Sequence, residues 1–146
     1  MLKNIPPLLS PDALHALASM GHGDLVAVVD ANFPAASVAA QGGARLVALP
    51  GVSAPELLRA VLAVLPLDDF QPECSWTMQV VGDATAVPAA VSEFADALRA
   101  VGEEAPASLE RFAFYERARS AFVILQSGEL RKYGNILLSK GVLATD

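Results

Sequence analysis

A continuous run of apolar residues, Leu25-Val26-Ala27-Val28-Val29, ends at the charged residue Asp30. A run this rich in valine predicts a strand with both faces buried, as in sheets that are covered by helices on each side. Asp30 would then follow the carboxyl end of the strand, and open α/β sheets bind their ligands at that edge. The stretch therefore predicts an α/β fold and marks one carboxylate as a candidate functional group.

The rest of the chain alternates between helical and strand-like patterns. Further strands are predicted at residues 45–49, 76–81, 121–126 and 135–138. Helices are predicted at residues 10–21, 53–66, 88–101 and 109–119, with a helical turn at 35–39 and a loop at 102–108. This alternation indicates a single three-layer α/β/α domain over residues 1–146. A short turn at Ser127-Gly128 joins the last two strands, so we expect a mixed, mostly parallel sheet.

Local signals mark the ends of two helices. Ser10 is a typical N-cap and is followed by proline, which suits the first helical position. Gly21 is expected to end this helix in the left-handed conformation. Ser53 and Glu56 have the spacing of a capping box, which predicts the start of another helix.

The composition limits the classes of partner. Of 146 residues, 53% are hydrophobic and 18% are charged, which is less charge than a small isolated monomer usually carries. Part of the apolar surface is therefore expected to face other subunits, although a well-packed, alanine-rich monomer would have the same composition. The net charge of −6 argues against nucleic-acid binding.

The single cysteine and the lengths of the apolar stretches indicate which chemistry and which cellular location to expect. Cys74 is the only cysteine, so we expect a small buried hydrophobe rather than a disulfide, a zinc ligand set or a nucleophile. The longest apolar stretch, residues 57–67, is interrupted by Arg59 and is too short to span a bilayer. The first residues lack the apolar core of a signal peptide. We therefore expect a cytoplasmic protein that binds neither membrane nor nucleic acid.

A first polar island, Met20-Gly21-His22-Gly23-Asp24, precedes the buried strand. Flanking glycines remove bulk, so the imidazole can project into a cavity, and an imidazole exchanges protons near neutral pH. His22 is therefore a candidate acid–base residue, or else a group that caps the preceding helix. Asp24 is expected to be a solvated turn residue, and His15 to be structural.

Asp30 differs from Asp24 because five apolar residues precede it, so it is expected to be partly buried. A buried carboxylate needs a partner or hydrogen bonds. The candidates are His22, Arg111 or a sugar hydroxyl. The alternative is a carboxylate that caps the turn at Asn32-Phe33.

A second polar island, Arg111-Phe112-Ala113-Phe114-Tyr115-Glu116-Arg117, lies in the C-terminal third. If this segment is helical, Arg111 and Tyr115 share one face. A guanidinium can bind two sugar oxygens, and a phenol can donate, accept or stack. The alternative is a surface helix of ion pairs with Phe112 and Tyr115 in the core.

The tripeptide Tyr133-Gly134-Asn135 follows a charged loop. Gly134 permits close approach of the backbone, so a ligand there could meet a main-chain group together with the phenol of Tyr133 and the amide of Asn135. The same three residues would also suit a plain turn that opens a hairpin.

Four segments in this order resemble the ribose pyranase / L-fucose mutarotase family. They are residues 21–24, 30–34, 111–117 and 132–138. The opening Met1-Leu2-Lys3 and the closing Lys140-Gly141-Val142 are also similar to that family, so the resemblance covers essentially the whole chain. Residues 36–110 offer little family-specific detail. The segment that begins at Arg111 resembles the fucose branch, since the ribose branch tends to carry histidine at that position.

The resemblance implies a cofactor-free, metal-free enzyme that interconverts the α and β anomers of a free sugar, with L-fucose as the expected substrate. D-ribose pyranase activity and a non-catalytic sugar-binding module are the alternatives. It also implies a cytoplasmic homo-oligomer, often a decamer, with pockets between neighbouring subunits. His22 would be the acid–base residue, and Tyr115 is a candidate for the second proton-transfer group. Asp30, Arg111 and the tripeptide Tyr133, Gly134 and Asn135 would hold the sugar.

Overall fold

Helices and strands alternate along the chain in the computed structural model, which describes residues 1–145. Its helices are α1 (Pro11–Ser19), α2 (Ala35–Gly42), α3 (Ala54–Leu62), α4 (Ala89–Ala100) and α5 (Arg111–Arg119). Its strands are β1 (Leu25–Val29), β2 (Arg45–Leu49), β3 (Ser75–Met78), β4 (Ala107–Leu109), β5 (Val123–Ser127) and β6 (Ile136–Ser139). The predicted bounds of β1 and β2 are confirmed to the residue.

The strands form one mixed sheet in the order β2-β5-β1-β6-β3-β4. β1 and β2 both pair parallel with β5, and β3 pairs parallel with β4. β6 runs antiparallel to its neighbours β1 and β3. The expected mixed, mostly parallel sheet is therefore confirmed. Because β6 is reversed, its first residues lie beside the carboxyl end of β1.

Helices cover both faces of this sheet. Side chains alternate along a strand, so Val26 and Val28 of β1 enter one core while Ala27 and Val29 enter the other. The first core is completed by α1, α3 and α4, and the second by α2 and α5. The three-layer α/β/α fold is therefore confirmed. Among the helices of residues 1–145, none has the length and apolarity required to cross a membrane.

The start of α1 agrees with the sequence signals, but its end does not. Ser10 Oγ accepts a hydrogen bond from the amide of Ala13, as an N-cap does. The helix ends at Ser19 with Met20 extended, and the residue with positive φ is Gly23 at 83°, not Gly21. Lys140, which is distant in sequence, donates from Nζ to the Met20 carbonyl at 2.6 Å, so this end of the helix has a partner that local signals do not reveal.

Several predicted boundaries are wrong where strand pairing or packing decides them. The expected loop at 102–108 contains the start of β4, a short edge strand that exists only by pairing with β3. β5 and β6 are not hairpin partners, since β1 lies between them in the sheet. α3 and β3 end earlier than expected, at Leu62 and Met78, while the helical turn at 35–39 extends into α2. The capping box of Ser53 and Glu56 is present.

Candidate functional site

A cavity of about 220 Å³ opens where β1 and β3 end and α5 begins. We call it the Asp30 pocket. Its volume is below the roughly 300–1,000 Å³ typical of drug-sized ligands, so it suits a ligand of one ring. It is lined by Asp30, Asn32, Phe33, Met78, Val81, Arg111, Tyr115, Lys132, Tyr133 and Asn135. The lining combines polar and charged groups with aromatic and aliphatic ones.

Asp30 follows β1 and is only 3% exposed. Its Oδ1 accepts from the amide of Asn32 at 3.0 Å, and its Oδ2 from the amide of Gly134 at 3.2 Å. Its own amide donates to Asn135 Oδ1 at 2.8 Å. Burial raises the pKa of Asp30 despite these hydrogen bonds, which brings the carboxyl closer to the range in which it can exchange protons. Neither His22 nor Arg111 is its hydrogen-bonding partner, so the turn at Asn32 holds it instead.

The loop before β6 brings Tyr133 and Asn135 into the pocket. Tyr133 has a φ of 62°, an uncommon conformation for a residue with a side chain. Its hydroxyl accepts from the amide of Val81 at 3.1 Å. Gly134 is buried and is not among the residues that line the pocket. A side chain does not fit there, because a Cβ would be 2.8 Å from Glu129 Cγ and 3.3 Å from Asp30 Cβ. The amide of Gly134 therefore binds the carboxylate of Asp30. The sequence pattern instead predicts contact between this main-chain group and a ligand.

Arg111 and Tyr115 share one face of α5, as their spacing predicts. The Arg111 guanidinium carbon lies 5.9 Å from the centre of the Tyr115 ring. That ring stacks on Phe33 at 5.5 Å between centroids, with an interplanar angle of 23°. The alternative that places Phe112 and Tyr115 in the core is wrong for Phe112, which is 71% exposed, whereas Tyr115 is partly buried against the second core. α5 therefore supplies a cation and a phenol to the same pocket.

His22 lies outside the Asp30 pocket, on the turn before β1. β1 has five residues, so His22 and Asp30 are separated by about 16 Å or more along the strand. A single copy of the chain does not bring the two together. The hydrogen bond of the His22 ring is to Asp68, and the cation at the end of α1 is Lys140, whose Nζ donates to the Met20 carbonyl.

Asp68 is the residue that holds His22, and the sequence reasoning missed it. The Nε2 atom of His22 lies 3.0 Å from Asp68 Oδ1, and the edge of the imidazole meets the Phe70 ring at 4.6 Å between centroids. The hydrogen bond from His22 is the main reason that the pKa of Asp68 is lowered. Asp68 also accepts from the amide of Phe70, from Gln71 Nε2 and from Ser139 Oγ. An acidic residue directly after the apolar run 57–67 is the same signal that marked Asp30.

Three further residues near the pocket were also missed. Lys132 lines the pocket beside Tyr133. Glu129 is buried, at 5% exposure, and forms an ion pair with Arg131. These residues belong to a charged loop in which no sequence pattern distinguishes a functional residue from a solvated one. Whether its one glutamate is buried depends on which elements cover it.

Cys74 lies immediately before β3 and is partly buried. Its Sγ is 3.8 Å from Glu103 Oε2. Burial, followed by the charge of Glu103, raises the pKa of Cys74 to about 11. The thiol therefore stays protonated at neutral pH, which is unsuited to a nucleophile.

Comparison with known proteins gives a consistent result. Residues 3–143 match the RbsD / FucU transport protein family. Fucose mutarotase of Homo sapiens is 45% identical over 150 residues, which cover 98% of this chain and 95% of the human protein. Fucose mutarotase of Bos taurus is 41% identical over 147 residues, which cover 99% of this chain and 95% of the bovine protein. The structure of the fucose mutarotase of Streptococcus pneumoniae in complex with L-fucose has a TM-score of 0.89 and 37% identity, covering 98% of this chain and 100% of that one. This chain therefore belongs to the RbsD / FucU transport protein family.

Proposed function

We propose that this protein is a fucose mutarotase, an isomerase that interconverts the α and β anomers of L-fucose. The observation that carries the proposal is the Asp30 pocket, with its polar and apolar lining, in a chain 45% identical to the human fucose mutarotase. L-fucose is a 6-deoxy sugar with hydroxyls and one methyl group. Asp30, Arg111 and Asn135 offer partners for hydroxyls, and Phe33 and Met78 supply apolar surface suited to the methyl group.

The reaction requires two proton transfers. The hemiacetal ring opens when the ring oxygen gains a proton and the anomeric hydroxyl loses one; the C1–C2 bond then rotates and the ring closes on the other face. One positioned acid and one positioned base each contribute roughly 10²–10⁴-fold. We assign the acid to His22 and the base to Tyr115 or Asp30, both of which line the pocket. Arg111 stabilises negative charge on the developing carbonyl oxygen. These steps need no cofactor.

The separation of His22 from the Asp30 pocket has a consequence for this mechanism. If His22 acts on the sugar, it has to come from a second copy of the chain, and we propose a homo-oligomer with shared pockets. An apolar cleft of about 570 Å³ lies beside His22, and Leu2 and Leu143 are 67% and 77% exposed near it. Exposed apolar surface of this kind is typical of subunit contacts. The decameric state and the cytoplasmic location stay predictions.

Exchange NMR on the anomeric protons of equilibrated L-fucose tests the activity. We expect a catalytic amount of protein to accelerate α/β exchange of L-fucose, and to accelerate exchange of D-ribose less. Faster exchange of D-ribose would favour the ribose pyranase alternative. Saturable sugar binding without acceleration would indicate a non-catalytic binding module. If the protein neither binds the sugar nor accelerates its exchange, a function on these sugars is contradicted.

The contact between His22 and Asp68 predicts the effect of Asp68→Asn. Asp68 accepts from Nε2–H, so Nδ1 is the ring nitrogen left for the sugar, and Nδ1 can act as an acid only when the ring carries both protons. An uncharged amide in place of Asp68 does not form an ion pair with this cation. We expect the L-fucose exchange rate to fall about 10²-fold with the fold retained. Asp69→Asn, at the exposed neighbouring position, is the matched control and should exchange sugar at the wild-type rate. An Asp68→Asn variant as fast as this control would exclude Asp68 from positioning His22.

A further inference from the structure

The loop between β5 and β6 is fastened by one guanidinium that binds two carboxylates. Arg131 Nη1 and Nη2 donate to the two carboxylate oxygens of Glu93 on α4, at 2.8 and 3.0 Å. Its Nε and Nη2 donate to the two oxygens of Glu129, at 2.9 and 3.0 Å. Bidentate pairs of this type are among the strongest polar contacts in proteins and fix orientation as well as distance.

The two carboxylates differ in exposure. The side chain of Glu93 is 46% exposed, whereas that of Glu129 is 5% exposed. The hydrogen bond from Arg131 is the main reason that the pKa of Glu129 is lowered to about 2. Glu129 is thus a buried anion that Arg131 neutralises, and loss of a partner from a buried pair is far more costly than loss of a surface pair.

Glu129 is in contact with two residues, Gly134 and Ala31, that are adjacent in sequence to residues lining the Asp30 pocket. Its Cγ lies so close to Gly134 that only glycine fits there, and its carbonyl accepts from the amide of Ala31 at 2.9 Å. The Gly134 amide donates to Asp30 Oδ2. The adjacent Tyr133 is held at its positive φ. A continuous series of contacts therefore runs from α4 through Arg131 and Glu129 to Asp30.

We propose that Arg131 is a positioning residue, which holds the segment 133–135 in the shape that binds the sugar. This proposal rests on the proposed function. Arg131 itself lies outside the lining of the pocket and acts through Glu129. Without the guanidinium, the Glu129 carboxylate must turn towards solvent or take up a proton, and its Cγ then no longer supports Gly134. The left-handed conformation of Tyr133 costs free energy, so it persists only while its surroundings hold it.

Hydrogen–deuterium exchange of the assembled protein tests whether Arg131 holds the loop between β5 and β6, without any measurement of activity. In Arg131→Met, we expect faster deuterium uptake over residues 128–137 and unchanged uptake over α1. The matched control is Arg99→Met, which removes a cation of α4 whose pair with Asp96 is exposed, at 61% and 73%. The control should leave uptake over residues 128–137 unchanged. Unchanged uptake in Arg131→Met would overturn the proposal.

Steady-state exchange kinetics on L-fucose test the positioning role. For Arg131→Met, we expect KM to rise roughly 3–10-fold while kcat stays within about twofold, because the sugar partners in segment 133–135 are displaced whereas His22 and Tyr115 lie on other elements. Arg131→Lys should have a KM for L-fucose between those of the wild type and Arg131→Met. An ammonium keeps the charge but cannot form bidentate pairs with both Glu93 and Glu129. Faster deuterium uptake with an unchanged KM would overturn the positioning role. Failure of the wild-type protein to accelerate sugar exchange would instead contradict the proposed function, and the deuterium comparison would still decide whether Arg131 holds the loop.

Discussion

His22→Ala is expected to slow α/β exchange of L-fucose by about 10²–10⁴-fold, the usual contribution of a general acid. His22 is 38% exposed and its imidazole contacts Asp68 and Phe70, so its removal leaves both cores intact. Exchange NMR measures the rate, and circular dichroism with size-exclusion chromatography checks the fold and assembly. His15→Ala is the matched control, because His15 is the other histidine of the chain and is exposed on α1. Wild-type exchange in His22→Ala would remove His22 from the mechanism.

A mixing experiment extends this prediction to the shared pocket. Arg111→Ala alters the Asp30 pocket, whereas His22→Ala alters the opposite end of β1. If each pocket combines these residues from two copies, mixed oligomers of the two inactive variants contain some intact pockets. Random mixing in equal amounts should restore about a quarter of the wild-type rate. Differently tagged subunits show whether the oligomers are mixed. If mixed oligomers are inactive, the pocket is not shared between copies.

Asp30→Asn is expected to reduce L-fucose exchange by about 10²-fold and to weaken sugar binding. Both carboxylate oxygens of Asp30 accept from backbone amides, those of Asn32 and Gly134. A carboxamide has one oxygen, so its NH₂ group would face one of these amide donors. Leaving a buried donor without an acceptor costs about 1–3 kcal/mol, and the displaced Gly134 would move the neighbouring Tyr133.

The measurements for Asp30→Asn are exchange NMR, sugar titration and thermal unfolding. Asp12→Asn is the control, because Asp12 is exposed in the first turn of α1 and makes no contact with the pocket. It should change neither the exchange rate nor sugar binding. If Asp30→Asn binds and exchanges L-fucose as the wild-type protein does, the Asp30 pocket is not the sugar site.

Features that depend on neighbours in sequence could be predicted without the structure. The continuous apolar run identified β1, and the Ser53–Glu56 spacing identified the start of α3, because burial pattern and helix capping are local. The shared face of Arg111 and Tyr115 followed from helical periodicity alone. Asp30 was a candidate because it ends a buried strand, and it is buried in the structure.

Features that depend on strand order could not be predicted in this way. β4 needs β3 beside it, and the position of β1 between β5 and β6 reflects packing of the whole sheet. Asp68 contacts His22 although 46 residues separate them in sequence, and no local sequence pattern indicates that contact. Glu129 carries the same acidic side chain as the exposed Glu116, and only coverage by other elements buries it.

The sequence by itself determined the α/β class, the family resemblance and the residue types of the candidate site. Only the tertiary structure decided which of those residues meet. His22 and Asp30 are close in sequence but lie beyond opposite ends of β1, because an extended strand adds about 3.3 Å per residue. Asp30 and Asn135 are 105 residues apart and share a hydrogen bond, because β6 runs antiparallel to β1 and begins where β1 ends.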